Sequence, residues 1–122
     1  MPSETGFKYS NMVSQLKRSP SLIASEITDS KMDAIHMALG IGGESGELVD
    51  VIKKWVAYGT ELDLDNVIKE MGDLEFYLEG LRQCLNIDRS EVLYNNYKKL
   101  EKRYMDFEFT QEQAVLRADV HG

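Results

Sequence analysis

Glu44-Ser45-Gly46-Glu47 and Glu70-Met71-Gly72-Asp73 each set two carboxylates three residues apart, a spacing that puts both on one face of a helix. Four acids converging between two helices form an all-oxygen donor set. Mg²⁺ favours such ligands and commonly completes its octahedron with substrate phosphates, with Mn²⁺ as an alternative ion. The chemistry to expect is a metal-assisted reaction at a phosphate-bearing substrate.

The elements that carry these acids read as helices. Only two prolines occur, Pro2 and Pro20, and four of the glycines cluster at Gly40, Gly42, Gly43 and Gly46, so most of the chain is free to be helical. Met12, Val13 and Leu16 predict a helix from about Phe7 to Lys17, ahead of the breaker Ser19-Pro20-Ser21. A short helical turn is expected over Leu22 to Ile27. Thr28, Asp29 or Ser30 can cap a long helix ending near Tyr58-Gly59, and the glycines in its middle are the places where it can break or bend. Asp63 or Asp65 caps the next helix, whose apolar residues Val67, Met71, Leu74, Leu78, Leu81 and Leu85 alternate in steps of four and three, as in a packing seam. Asp88 followed by Glu91 resembles a capping box variant. It opens a helix on which Leu93, Tyr97, Leu100 and Tyr104 share a face. A last short helix is expected over Thr110 to Arg117. Strand-like alternation, internal repeats and low-complexity stretches are absent from the sequence. The chain reads as all-α, one domain over 1–122, with a helical core over about 22–105 and a tail over 106–122.

Angular placement separates solvated acids from inward ones. At about 100° per residue, with Glu70 at zero, Leu81, Leu74, Val67 and Tyr77 all fall within about 60° of it, and Asp73 lies near the edge of that sector. Glu75 and Glu79 fall on the far side, where surface acids belong. The preceding helix repeats the pattern: Val51, Trp55 and Leu48 lie within about 40° of Glu44, while Glu47 and Lys54 border the stripe. An ionised carboxylate among apolar side chains is costly unless paired, protonated or bound to a metal. Salt bridges from Lys53, Lys54 or Arg82 would satisfy a single inward acid. Recurrence at matched positions on two helices favours a metal. Gly42, Gly43, Gly46 and Gly72 leave room beside the acids for a ligand or a neighbouring helix.

Opposite charge is available on the helix after Asp88, where Asn96, Lys99 and Arg103 project from one narrow sector. That stripe suits phosphate oxygens, Arg as a fork and Lys as a point charge, although interhelical ion pairing fits the spacing equally well. His36 lies in the apolar stretch Ile35-His36-Met37 and reads as a core or substrate-pocket histidine rather than a metal ligand.

Composition narrows the classes. With 122 residues and 43% hydrophobic content, the chain is long enough for one ordinary core. Its 21 Asp and Glu against 14 Lys and Arg, a formal net charge of −7, disfavour a phosphate-neutralising nucleic-acid binder. The single cysteine, Cys84, and the start MPSETGFKYS, which lacks a signal h-region, suggest a reducing, cytoplasmic setting. No apolar run is long enough to span a bilayer. HExxH, CxxC, Walker and GxSxG motifs are absent, as are the Glu-x-x-His pairs of a diiron bundle.

The stretch HMALGIGGESGELVDVIKKWVAYG, with DNVIKEMGDLEFYLEGL and NNYKKLEKRY following in order, resembles the MazG-like branch of the all-α nucleoside triphosphate pyrophosphohydrolases. The similarity is to the small single-domain kind found in bacteria and phages, and it runs from about Leu22 to Arg117, with FTQEQAVLR similar to the branch's usual tail. The resemblance implies a four-helix-bundle-like fold and Mg²⁺ held by Glu44, Glu47, Glu70 and Asp73. It also implies hydrolysis of an NTP or dNTP between the α and β phosphates, giving the monophosphate and pyrophosphate. It implies homodimers or dimers of dimers, with the base pocket near a subunit interface. His36, Trp55 and Tyr77 are candidates for the substrate pocket. The cytoplasm, or a host's cytoplasm for a phage protein, is the expected location. Where many members carry two adjacent glutamates, this chain has Gly43-Glu44, so no fifth carboxylate comes from position 43.

On this basis Glu47 is the candidate general base, and Lys54, Asn96, Lys99 and Arg103 are candidates for the phosphates. Phosphoribosyl-ATP and dUTP pyrophosphatases, or an alarmone hydrolase acting on guanosine tetraphosphate, would share the metal acids and differ at the base. A helical interaction module whose acids meet a partner's basic residues is the reading without catalysis.

Overall fold

The computed structural model describes residues 4–104, with side chains from residue 8 onward. These form five α-helices: α1 Glu4–Leu16, α2 Pro20–Glu26, α3 Asp29–Ala57, α4 Leu64–Leu85 and α5 Arg89–Arg103. The described residues contain no strand, so the all-α expectation holds. The helix expected over Thr110 to Arg117 lies outside the described residues. None of the described helices is long and apolar enough to cross a membrane.

The chain divides into two compact units, residues 1–32 and 33–122. In the first, Pro20 opens α2, where its fixed φ and missing N–H cost nothing. Arg18 and Glu26 form an exposed ion pair at 2.5 Å that spans α2. Thr28, among the three possible caps of α3, is the one whose hydroxyl accepts the Lys31 N–H, at 3.2 Å.

In the second unit, α3 and α4 run antiparallel, as their packing pairs show: Met37 lies against Gly80 and Tyr77 against Gly40, while Glu44 faces Glu70 and Asp73. The glycines of α3 do not interrupt it; the helix is continuous through Gly40, Gly42, Gly43 and Gly46. Four helix-weakening residues are carried by a helix of 29 residues, because hydrogen bonding is cooperative once nucleated. The turn after α3 uses Gly59 at φ +66°, a conformation open to glycine at no steric cost. Thr60 donates its hydroxyl hydrogen to the Lys54 carbonyl at 2.9 Å. Asp63 then caps α4 by accepting the Asn66 N–H at 3.1 Å. At the far end Asn86 adopts the left-handed conformation, φ 57° and ψ 47°, and the Ile87 N–H returns to the Arg82 carbonyl at 2.9 Å. Asp88 departs from expectation. It occupies the N-cap of α5 in extended conformation but makes no side-chain cap hydrogen bond, and the Glu91 N–H goes instead to its backbone carbonyl at 3.1 Å.

Packing is thinner than a chain of this length suggests. Among the described residues no side chain is fully buried. Val67, Leu74, Leu78 and Leu81 of the α4 seam are half-buried, but Met71 and Leu85 are 53% and 54% exposed. On α5 the expected apolar face divides likewise, with Leu100 and Tyr104 half-buried and Leu93 and Tyr97 exposed. Val49, Val56 and Phe76 are each more than 60% exposed. Apolar area left in water forgoes roughly 25 cal/mol per Å², so the single chain retains much unused hydrophobic driving force.

Candidate metal centre

One turn of α3 and one of α4 bring Glu44, Glu70 and Asp73 together. Each offers a carboxylate oxygen within 4.8 Å of the others. Glu44 and Glu70 are half-buried and Asp73 is exposed, so the cluster opens to solvent on one side. This matches the inward placement of Glu44 and Glu70 and the rim placement of Asp73.

The electrostatics of the trio are those of acids without a counter-charge. Glu44 is held above the ordinary carboxylate range, first by a hydrogen bond shared with Glu70. Partial burial and the charges of Asp73, Glu70 and Glu47 push the same way. The lysines and arginine that might have paired with the inward acids are engaged elsewhere. Lys54 pairs with Asp50 at 2.9 Å, Lys53 sits 5.6 Å from the Tyr58 ring centroid, and Arg82 pairs with Glu79 at 3.3 Å and Glu75 at 3.9 Å. Internal salt bridging of Glu44 and Glu70 is therefore not how this cluster is satisfied among the described residues.

Glu47 stands outside the trio. It is exposed and lines a separate polar cavity of about 340 Å³ with Asp50, Val51, Lys54, Thr60, Glu61, Asp63 and Asn66. Within it, the hydrogen bond from Lys54 lowers the Asp50 pKa, and the same bond raises that of Lys54, aided by the charge of Glu47. The side of this cavity formed by Thr60, Glu61 and Asp63 went unread in the sequence, where Asp63 figures only as a cap.

The aromatic candidates separate into two places. His36 meets Tyr77 edge-on with centroids 6.3 Å apart, and Phe76 meets Tyr77 at 5.2 Å and 88°. Tyr77 packs on Gly40, one helical turn from Glu44 on α3 and from Asp73 on α4. Trp55 lies nineteen residues beyond His36 on a continuous helix, about 28 Å at 1.5 Å per residue, and one chain does not gather it with His36 and Tyr77. Asn96 and Lys99 are exposed and Arg103 is half-buried. Among the described residues no hydrogen bond or ion pair joins these three to the acids. Gly42, Gly43, Gly46 and Gly72 have open space where a Cβ would stand, with no close neighbour among the described residues. A groove along Met37, Phe76 and Gly80, bordered by Asp33, Glu79 and Gln83, was also missed, since Glu75 and Glu79 read simply as solvated acids.

Comparison with curated proteins and with solved structures found no match. A family model, the MazG nucleotide pyrophosphohydrolase domain, matches residues 32–107, a stretch that contains both acidic signatures, all of α4 and most of α3. The chain belongs to the MazG nucleotide pyrophosphohydrolase domain family.

Proposed function

We propose that the chain hydrolyses a nucleoside triphosphate, ribo or deoxy, to the monophosphate and pyrophosphate in a Mg²⁺-dependent reaction. The observation that carries this reading is the convergence of Glu44, Glu70 and Asp73 in a chain of pyrophosphohydrolase family. The donor set fits the ion: three carboxylates, no nitrogen or sulfur ligand, and an open side for water and phosphate. A bound divalent cation supplies positive charge to the phosphate oxygens and Lewis acidity that makes water a better nucleophile.

The chain's own residues do the rest. Glu44, Glu70 and Asp73 would hold the ion, and Glu47, expected as a fourth ligand, lies outside their cluster. Because Glu47 stands apart from the trio, its carboxylate is the one best able to accept the proton of the attacking water. Lys54, Lys99 and Arg103 neutralise the phosphates and Asn96 donates hydrogen bonds to them, and the Asp50 pair holds Lys54 charged beside Glu47. His36 and Tyr77 border the substrate, with Trp55 entering from elsewhere in an assembly. Dimer or tetramer formation is supported by the absence of fully buried side chains among the described residues, because a second copy would cover faces such as Leu48, Val49, Ile52 and Val56. We place this activity in the cytoplasm.

The test is a panel of NTPs and dNTPs, with phosphoribosyl-ATP, dUTP and guanosine tetraphosphate included, assayed for pyrophosphate release with and without Mg²⁺. Glu47→Ala and Asp73→Ala are expected to abolish turnover while leaving the helical circular dichroism intact. Unchanged turnover in either purified, folded variant would overturn the site.

A further inference from the structure

Beyond Tyr77, on the side away from the α3–α4 turn, the groove opened by α3 and α4 has a volume of about 580 Å³. Met37, Phe76 and Gly80 form its apolar part, and Asp33, Glu75, Glu79 and Gln83 its polar border, with Glu75 facing Arg82 at 3.9 Å. Phe76 is 67% exposed, with its ring edge-on to Tyr77 and so held in place while still offering area to a ligand. Gly80 carries no side chain, and on α3 the Met37 thioether fills the space its Cβ would take. The groove lies close to the acids: Phe76 is one turn past Asp73, and Glu79 and Gly80 are about 10 Å along the helix from it at 1.5 Å per residue.

An apolar slot with an exposed ring takes a flat, stackable group. Its border selects by hydrogen bonding. Carboxylates accept and do not donate when ionised, so Asp33 and Glu79 call for a donor edge, and a Gln amide can complete either a donor or an acceptor position. Glu79 is partly occupied by Arg82, whereas Asp33 makes no hydrogen bond or ion pair among the described residues. Exocyclic amino groups meet this requirement with two N–H donors; a lone ring N–H flanked by keto oxygen, as in uracil, thymine and hypoxanthine, brings that oxygen against a carboxylate. Resting on the proposed hydrolysis of nucleoside triphosphates, we infer that this groove receives the nucleobase. It favours the amino-bearing bases guanine, adenine and cytosine over uracil, thymine and hypoxanthine.

Uncharged nucleosides test the groove without any metal. In ¹H–¹⁵N spectra of the full chain, guanosine and cytidine are expected to shift the amides around Phe76 and Glu79 at lower concentration than inosine and uridine. Phe76→Ala is expected to weaken guanosine binding about tenfold or more. Asp33→Asn and Glu79→Gln, near-isosteric changes on exposed positions, are expected to erase the preference for guanosine over inosine. Equal shifts by guanosine and inosine, or a preference that survives both substitutions, would overturn the inference. In parallel, pyrophosphate release from GTP and ITP is measured with Mg²⁺. Release from neither would overturn the proposed hydrolysis while the nucleoside spectra still judge the groove. Equal release from both, unaltered by Phe76→Ala, would overturn the groove while the hydrolysis stands.

Discussion

Gly40→Ala and Gly43→Ala are the same chemical change three residues apart on α3, and the structure assigns them opposite signs. In a helix interior, replacing Gly with Ala stabilises by about 0.8–1.0 kcal/mol. At Gly43 nothing lies within 4 Å of the new Cβ, so that gain is realised in full. At Gly40 the Cβ would stand within the van der Waals envelope of the Tyr77 ring, against its Cγ, Cδ1 and Cε1 atoms. These belong to the body of a rigid ring, so relief requires moving Tyr77 or the helix, and overpacking of this kind costs about 1–3 kcal/mol. The Gly40 variant should end up about 0–2 kcal/mol less stable than wild type and about 1–3 kcal/mol below the Gly43 variant. At about 4 °C per kcal/mol for a domain of this size, thermal denaturation at fixed protein concentration should separate the two by about 4–12 °C. Tyr77→Ala in the Gly40→Ala background should recover the difference as a favourable coupling of about 1–3 kcal/mol. A Gly40 variant melting at or above the Gly43 variant would refute the claimed contact between α3 and α4.

Glu44→Gln tests the acid trio through pH. The folded-state pKa of Glu44 is raised above its ordinary 4.5, so its contribution to stability is fully present below pH 4.5 and is lost as pH rises through the folded value. Without divalent ions, the Gln variant should therefore melt above wild type at pH 7, with the gap closing toward pH 4.5; Mg²⁺ should raise the melting point of wild type and not of the variant. Asp63→Ala removes a formed cap and should cost about 1 kcal/mol in denaturant unfolding. Asp88→Ala removes none and should cost much less, and equal losses would contradict the two cap geometries.

What was legible in the sequence was local. Pro20, Thr28, Asp63 and the Tyr58-Gly59 pair announce helix ends through backbone chemistry that acts within a few residues, and the helices begin and stop near them. The inward setting of Glu44 and Glu70 was legible too, since it follows from period alone. Less legible was everything set by how one helix meets another. An angle around an isolated cylinder does not say that Asp73 joins the trio while Glu47 turns toward Asp50 and Lys54. Nor does it say that Met71 and Leu85, in step with the α4 seam, stay exposed. The glycines of α3 misled in the other direction, because local propensity counts residues singly whereas a long helix averages over them. Asp88 had the right residue type at the right position, but its side chain is not used.

The choice between a salt-bridged cluster and a cation site turns on where the positive charge is. Three carboxylates within 4.8 Å of one another repel unless a proton or a cation intervenes, and burial of Glu44 and Glu70 sharpens the demand. Glu70, partial burial and the neighbouring acids push the Glu44 pKa up, the direction in which a proton would relieve the crowding; a cation relieves it while keeping the oxygen donors ionised. The basic side chains offered above as partners of the inward acids are committed: Lys54 to Asp50, Arg82 to Glu75 and Glu79, Lys53 over the Tyr58 ring. Among the described residues no cation pairs with Glu44, Glu70 or Asp73, which leaves a charge from solution to answer the demand. Under the function proposed above, a hard divalent cation would answer that demand with two charges, where a partner's lysine would bring one.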